Sequence, residues 1–103
     1  MRKAKVLVDG VPAGQLIELE RNKQYRFAYN EEYRGQSVSL TMPIATRVYE
    51  FDRFPPFFEG VLPEGVMLEG LLRYAKIDRS DLMSQLLTVG GDLVGNVTVE
   101  AVE

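Results

Sequence analysis

Apolar and polar residues alternate along the N-terminal part of the chain, which predicts β-strands with one buried face. Residues 5–9 form a valine-rich run that ends at Asp9-Gly10, a dipeptide typical of a tight hairpin turn. The return strand is expected over residues 13–20, where Gly14 favours a bulge. The clearest alternation covers residues 24–29, in which an aromatic side chain occupies every second position. We therefore predict three consecutive antiparallel strands.

The alternation returns more weakly later in the chain. The apolar residues of the segment 38–42 predict a short strand that Pro43 ends, because proline cannot donate a hydrogen bond to a sheet. Residues 44–52 have no clear period and are expected to form a connecting loop. A last strand is expected over residues 97–101, where valine and alanine alternate with polar residues.

Helical patterns lie between these strands. Two prolines precede Phe57-Phe58, and the break Pro63-Glu64-Gly65 follows. Because proline fixes φ and glycine reaches positive φ, this arrangement predicts a short helical turn, a stiff corner and a new helix. The new helix is expected over residues 65–76. Four of its apolar residues fall on one stripe, which consists of Leu68, Leu71, Leu72 and Ala75.

A further helix is expected to begin with Asp78 as its N-cap and Asp81 as the third helical residue, a variant of the capping box. Gly90-Gly91 is expected to end it. Its predicted buried stripe consists of Leu82, Leu86 and Val89.

Strands followed by helices and then a final strand predict an α+β fold. We expect a small, mostly antiparallel sheet with two or three short helices packed on one face. The length of 103 residues indicates a single domain that covers residues 1–103.

Composition narrows the possible functions. The formal net charge is −3 with interspersed signs, so the basic surface of a nucleic-acid-binding protein is missing. The sequence has no cysteine and no histidine, which argues against a zinc site and removes the commonest general base. We see no secretory signal and no apolar run of membrane-spanning length, and we expect a cytoplasmic protein.

The motifs favour structural roles over catalysis. The run Gly90-Gly91-Asp92-Leu93-Val94-Gly95 is rich in glycine, but it lacks the lysine and hydroxyl residue that end a phosphate-binding loop. Its glycines are expected to close a helix and enter a strand. The serines have no histidine partner, so a Ser-His-Asp site cannot form within this chain. We expect no enzymatic activity, no cofactor and no metal.

Three motifs, in this order, resemble the N-terminal subdomain of HipA-type toxin kinases. They are Val38-Ser39-Leu40-Thr41-Met42-Pro43, Phe57-Phe58-Glu59-Gly60-Val61-Leu62-Pro63-Glu64-Gly65 and Gly90-Gly91-Asp92-Leu93-Val94-Gly95-Asn96-Val97. The resemblance extends from about residue 6 to residue 103. It implies that the parts needed for phosphoryl transfer belong to a kinase body downstream of such a subdomain.

A freestanding subdomain of this kind resembles the HipS antitoxins of tripartite HipBST toxin–antitoxin systems. The resemblance implies a protein that binds and inhibits a separate HipA-like serine/threonine kinase toxin, HipT. It also implies that HipB, a helix-turn-helix DNA-binding protein, belongs to the same complex. We expect no direct contact of this chain with nucleic acid or with a membrane.

A chain without catalytic groups can inhibit a kinase only by binding it. We expect the contact at the proline corner and the first turn of the following helix, where apolar side chains lie off the leucine stripe. The expected contact residues are Pro63, Glu64, Gly65, Val66 and Met67. A bulky aromatic residue at position 66 would be the ideal plug for a nucleotide pocket, so Val66 favours a shallower contact. The residues expected to pack in the core instead are Phe57, Phe58 and Leu62.

Two alternatives remain open. The chain could be an N-terminal piece or structural subunit of a HipA-like kinase, without an inhibitory role. It could also be an unrelated small ligand-binding or enzymatic domain, which a polar pocket with converging carboxylates would indicate.

Overall fold

The first three strands pair as consecutive antiparallel neighbours, and two later strands extend the sheet at its edges. The computed structural model describes residues 1–93 and 95–102, so Val94 of the glycine-rich motif and the terminal Glu103 lie outside the described residues. The strands are β1 (Arg2–Val8), β2 (Val11–Glu20), β3 (Gln24–Tyr29), β4 (Val48–Phe51) and β5 (Val97–Ala101). Their order in the sheet is β4-β3-β2-β1-β5, and every neighbouring pair is antiparallel.

Three helices cover one face of this sheet. They are α1 (Pro56–Gly60), α2 (Gly65–Ala75) and α3 (Leu82–Val89), and a 3₁₀ turn over Gly90–Asp92 follows α3. Phe58 of α1 and Leu86 of α3 belong to the same core cluster as the inward-facing residues of β1, β2 and β3. The predicted α+β fold, with a small antiparallel sheet and helices on one face, is confirmed.

The hairpin between β1 and β2 forms as the sequence predicts. Both residues of the Asp9-Gly10 turn have positive φ, 50° and 79°, as a two-residue hairpin turn of type I′ requires. The pairing register shifts between Val6 and Leu7, opposite Gly14, which confirms the predicted bulge. Gly14 also permits close strand pairing, because a Cβ atom there would overlap the carbonyl oxygen of Ala28 on β3.

The segment between β3 and α1 differs from the prediction. Residues 38–42 form a turn closed by an isolated bridge between Ser39 and Met42, and the predicted strand is wrong. The predicted loop at 44–52 instead contains β4, which pairs with β3. Only Tyr49 and Phe51 of β4 face the core, so its alternation is too short to recognise in the sequence. The free edge of β3 determines that this segment becomes a strand.

Helix α3 begins later than predicted. Its N-cap is Asp81 rather than Asp78: the Ser84 backbone N–H donates to Asp81 Oδ1 over 3.2 Å, and Ser84 Oγ donates to Oδ2 over 2.7 Å. The buried Gln85 amide donates to the carbonyl oxygens of Asp78 and Arg79, which closes the turn before the helix. The buried residues of α3 are Met83, Gln85 and Leu86, so only one member of the predicted stripe is fully buried.

A largely buried ion-pair cluster joins α3 to the sheet. Glu18 is 3% exposed and accepts hydrogen bonds from Arg2 Nε over 2.6 Å, from Arg2 Nη2 over 2.9 Å and from the Tyr25 hydroxyl over 2.9 Å. The same guanidinium lies 2.9 Å from Asp81 Oδ1 and donates to Ser84 Oγ over 2.8 Å. One arginine of β1 therefore connects the middle of the sheet with the start of α3.

Both carboxylates of this cluster have a lowered pKa. Burial by itself raises the pKa of Glu18, but hydrogen bonds from Arg2, from a backbone N–H and from Tyr25 together lower it by more. Burial likewise raises the pKa of Asp81, and the bonds from Ser84 and Arg2 outweigh that effect. Both groups therefore favour the ionised form more strongly in the folded protein than in the unfolded chain.

We predict that this cluster makes the free energy of unfolding depend on pH. Because the folded pKa of Glu18 lies below its ordinary value of 4.5, its contribution is present above that pH and is lost as the pH falls through the folded pKa. Glu18→Gln should lower the free energy of unfolding by about 2 kcal/mol at neutral pH and should flatten its decline in acid. Urea denaturation across this pH range measures both effects.

The matched control is Glu50→Gln, which removes the half-exposed partner of Arg26 on the other face of the sheet. An exposed ion pair contributes little, so we expect a loss below about 1 kcal/mol. Equal losses for the two variants would contradict the role given to the Glu18 cluster.

We also predict that the junction between α3 and β5 tolerates only glycine at position 90. A Cβ atom at Gly90 would overlap the carbonyl oxygen of Val99, whereas one at Gly91 would meet nothing within 4 Å. Gly90→Ala should lower the free energy of unfolding by about 2 kcal/mol through overpacking. Gly91→Ala should change it by less than about 0.5 kcal/mol. Denaturation curves that give similar values for both variants would refute this account of the junction.

Candidate protein-binding site

The chain turns sharply between α1 and α2. Helix α1 ends at Gly60, and Glu64 adopts an extended conformation, with φ −129° and ψ 164°, directly before α2. Gly65 has a φ of +59°, which a residue with a Cβ atom adopts only with strain. The predicted order of short helix, corner and new helix is confirmed, and the backbone itself determines the direction in which α2 leaves the corner.

The side chains before the corner pack inward. Phe58 is fully buried, and its ring centroid lies 5.9 Å from that of Phe27 on β3 and 5.1 Å from that of Phe57. Leu62 is also buried, and Phe57 is partly buried against the core. These contacts confirm the expected core positions and attach the corner to the sheet.

The side chains after the corner project into solvent. Val66 is 89% exposed and Met67 is 74% exposed. Glu64 and Gly65 are exposed as well, while Pro63 is half-buried. The five expected contact residues therefore form one continuous surface segment, and their role in binding stays a prediction.

Helix α2 has no fully buried residue. The four residues of its predicted stripe are all half-buried. Tyr74 on the outer side is 91% exposed and was not selected from the sequence. A signal was present, since Met67 and Tyr74 are seven residues apart and so lie on the same side of a helix. A helix with apolar side chains on more than one side is usually covered by other structure.

A groove of about 640 Å³ runs between α2, the corner and the end of α3. Pro63 and Met67 of the expected contact segment line it, and Val66 does not. Its other walls are mostly apolar and include Val61, Leu71, Tyr74 and Leu93. An open apolar groove of this size suits the side chains of a binding partner.

Three carboxylate side chains lie in or near the groove. Asp92 lines it, and Glu59 and Glu64 flank the corner in the chain. None of these three forms a salt bridge with another described residue, whereas Glu69 farther along α2 pairs with Arg79. An apolar groove with acidic neighbours is complementary to a partner surface that carries apolar and basic side chains.

The rest of the described chain shows little that suggests catalysis. Within residues 1–93 and 95–102, no three carboxylates lie together as a metal-binding set. A cavity of about 440 Å³ beside the β1–β2 hairpin has mixed walls that include Asp9, Asn30 and Arg34. None of the helices described here has the length and hydrophobicity needed to cross a lipid bilayer.

Comparison with known proteins links this chain to one family. A family model described as "HipA N-terminal domain" matches residues 4–100. A solved structure described as "N-terminal domain of HipA toxin" superposes with a TM-score of 0.78 at 30% sequence identity. The superposition covers 100% of this chain and 94% of that chain.

Two curated relatives differ in length. An uncharacterized protein of Haemophilus influenzae is 32% identical over 100 residues, which cover 97% of this chain and 92% of that protein. The "Putative kinase Y4dM" of Sinorhizobium fredii is 33% identical over 104 residues, which cover 91% of this chain but only 25% of the kinase. The matching region is therefore almost all of one relative and a quarter of the other.

We predict that α2 is more weakly held than α3. Because α2 has only half-buried side chains while α3 buries Met83 and Leu86, the backbone amides of α2 should exchange with deuterium faster. Hydrogen–deuterium exchange followed by mass spectrometry compares both helices in one molecule, with β2 as the reference of high protection. Equal protection of the two helices would show that α2 is anchored as firmly as α3.

Proposed function

Because the chain belongs to the HipA N-terminal domain family, we propose that it is an antitoxin that binds and inhibits a separate HipA-like serine/threonine kinase toxin, a HipT-like kinase. The observation that carries this proposal is the exposed apolar surface of α2 beside the groove. Val66, Met67 and Tyr74 are 89%, 74% and 91% exposed. Covering such side chains with a partner removes apolar surface from water, which favours association.

One of the two curated relatives supports a kinase as the partner. In the putative kinase the matching region is a quarter of the chain, so its surface can meet the remainder of the same molecule. In the Haemophilus influenzae protein the matching region is nearly the whole chain, so there the same surface is available to another molecule. We propose that this chain contacts a separate kinase molecule, as the resemblance to HipS antitoxins implies.

The proposed inhibition needs binding alone. These 103 residues carry none of the phosphate-binding motifs of a kinase body. It can instead cover the nucleotide or substrate site of its partner, or hold a mobile kinase loop in an unproductive state. The side chain of Val66 is short and branched, so it favours a contact at the mouth of such a site over deep insertion. The acidic residue Glu64 beside it favours a basic rim on the kinase.

The proposed complex also contains a HipB-like helix-turn-helix protein and assembles in the cytoplasm. In this arrangement the HipB-like partner supplies the DNA contacts. The net charge of −3 on the present chain disfavours direct association with nucleic-acid phosphates. We propose no contact of this chain with a membrane.

A structural subunit of a HipA-like kinase is the second candidate. The observation that favours it is the putative kinase, in which the matching region accompanies the rest of the chain covalently. Both candidates use the same surface of α2 and the corner. The effect of binding on kinase activity therefore distinguishes them.

The test is a titration of this protein into the purified HipA-like kinase proposed as its partner, with ATP-dependent phosphorylation as the readout. We predict loss of activity at about one equivalent. Binding without loss of activity would favour the structural subunit, and absence of binding would overturn the proposed function.

The same titration tests the site with the double variant Val66→Asp and Met67→Asp. Burial of each side chain is worth about 1.5 kcal/mol, so their loss should weaken binding about 100-fold. Both side chains are exposed, so the free energy of unfolding should stay within about 0.5 kcal/mol of the wild type. The control Val11→Asp, at the 53%-exposed first residue of β2, should inhibit like the wild type. Full inhibition by the double variant would rule out this contact site.

A further inference from the structure

One motif singled out in the sequence has no part in the proposed contact at α2. It is the segment of residues 38–42, called here the Leu40 loop, which forms a turn instead of the expected strand. Leu40 at its tip is 98% exposed, more than any other large apolar side chain that the structure describes. A single exposed leucine is common on protein surfaces, so its significance depends on the loop that presents it and on the other exposed apolar side chains of the same side.

The loop is firmly attached on both sides of its tip. Val38 and Met42 are 5% and 2% exposed and belong to the core cluster. The buried hydroxyl of Tyr29 accepts a hydrogen bond from the Val38 backbone N–H over 2.9 Å and donates to the Met42 carbonyl oxygen. A single side chain of β3 therefore holds both ends of the turn, and the exposed residues Leu40 and Thr41 form its tip.

The turn and its exit are also restrained. Ser39 Oγ accepts from the Thr41 backbone N–H over 3.1 Å and lies 2.8 Å from Thr41 Oγ1. After the turn, the Tyr49 hydroxyl of β4 donates to the Pro43 carbonyl oxygen over 2.6 Å. The leucine is therefore presented by a backbone that is already ordered. A loop that is ordered before binding loses less conformational entropy when a partner covers it.

The Leu40 loop lies on the same side of the sheet as the corner and α2. The ring of Tyr29, which holds the loop, has its centroid 4.9 Å from that of Phe27. The ring of Phe58, which anchors the corner, packs on the same Phe27 side chain at 5.9 Å. The loop and the corner are therefore attached to the same face of β3, and both belong to the layer that covers this face.

Strong exposure of large apolar side chains is concentrated in this layer. Apart from the terminal Met1, the described large apolar residues exposed by 74% or more are Leu40, Val66, Met67 and Tyr74. On the strands, the largest value is the 53% of Val11. A partner that covers α2 therefore approaches the side of the domain to which the loop also belongs.

We propose that the Leu40 loop is a second contact site for the same HipA-like kinase, with the Leu40 side chain inserted into an apolar recess of the kinase surface. This inference rests on the proposed function, because it assigns a further part of the surface to that partner. The kinase is the occupant because the matching region of the putative kinase is continuous with a longer chain that can lie against this layer.

The experiment measures the dissociation constant of the complex with the purified HipA-like kinase by isothermal titration calorimetry. Leu40→Asp should weaken binding about tenfold or more, since one buried leucine side chain contributes at least that factor. Leu40→Met retains apolar volume and should bind within about threefold of the wild type. Val11→Asp is the control for a new carboxylate at an exposed apolar position and should bind like the wild type.

The possible outcomes separate this inference from the proposed function. Normal binding by Leu40→Asp, together with weak binding by the Val66 and Met67 double variant, would overturn the loop contact and leave the kinase contact at α2 in place. A wild-type protein that does not bind the kinase would overturn both. A dimer of the free protein that Leu40→Asp dissociates would assign the loop to a second copy and overturn the inference. Unfolding of Leu40→Asp, seen by circular dichroism, would show that Leu40 supports the fold and would also overturn it.

Discussion

The arrangement of the helices depends on one arginine. The guanidinium of Arg2 pairs with Glu18 inside the sheet and with Asp81 at the N-cap of α3. Moving α3 away from β1 would break the bonds of this guanidinium to Asp81 and Ser84, so the arginine holds the start of α3 against the sheet. The position of α3 in turn brings Gly90 against β5 and forms one wall of the groove. The groove beside α2 is therefore positioned by a contact on the opposite end of α3.

The three helices differ in how many side chains they bury against the sheet. Helices α1 and α3 insert fully buried side chains into the core, whereas α2 contributes none. A small domain has only a modest net stability, and its aromatic sheet face and two anchored helices supply the packing that it needs. The outer side chains of α2 and the side chain of Leu40 add little to that packing. They remain accessible, and apolar side chains that are accessible and positioned by a rigid core are suited to binding another protein.

Neighbouring residues account for the parts of the fold that could be predicted. The hairpin at Asp9-Gly10, the alternation of β3 and the corner at Pro63 each follow from a few consecutive residues. The wrong predictions concern features that depend on contacts between residues far apart in the sequence. Asp78 and Asp81 have the same side chain, so either could serve as the N-cap of α3. The ion pair with Arg2 favours Asp81. The segment 44–52 lacks a visible period, and pairing with the free edge of β3 made part of it a strand.

The sequence by itself determined the fold class, the corner and the expected contact segment from Pro63 to Met67, because periodicity and backbone preferences are properties of consecutive residues. Only the tertiary structure decided which apolar side chains remain uncovered. Leu62 and Leu40 have the same side chain, yet one is 7% and the other 98% exposed. The difference arises because burial depends on what lies opposite a side chain, and the residues opposite come from strands and helices far away in the sequence.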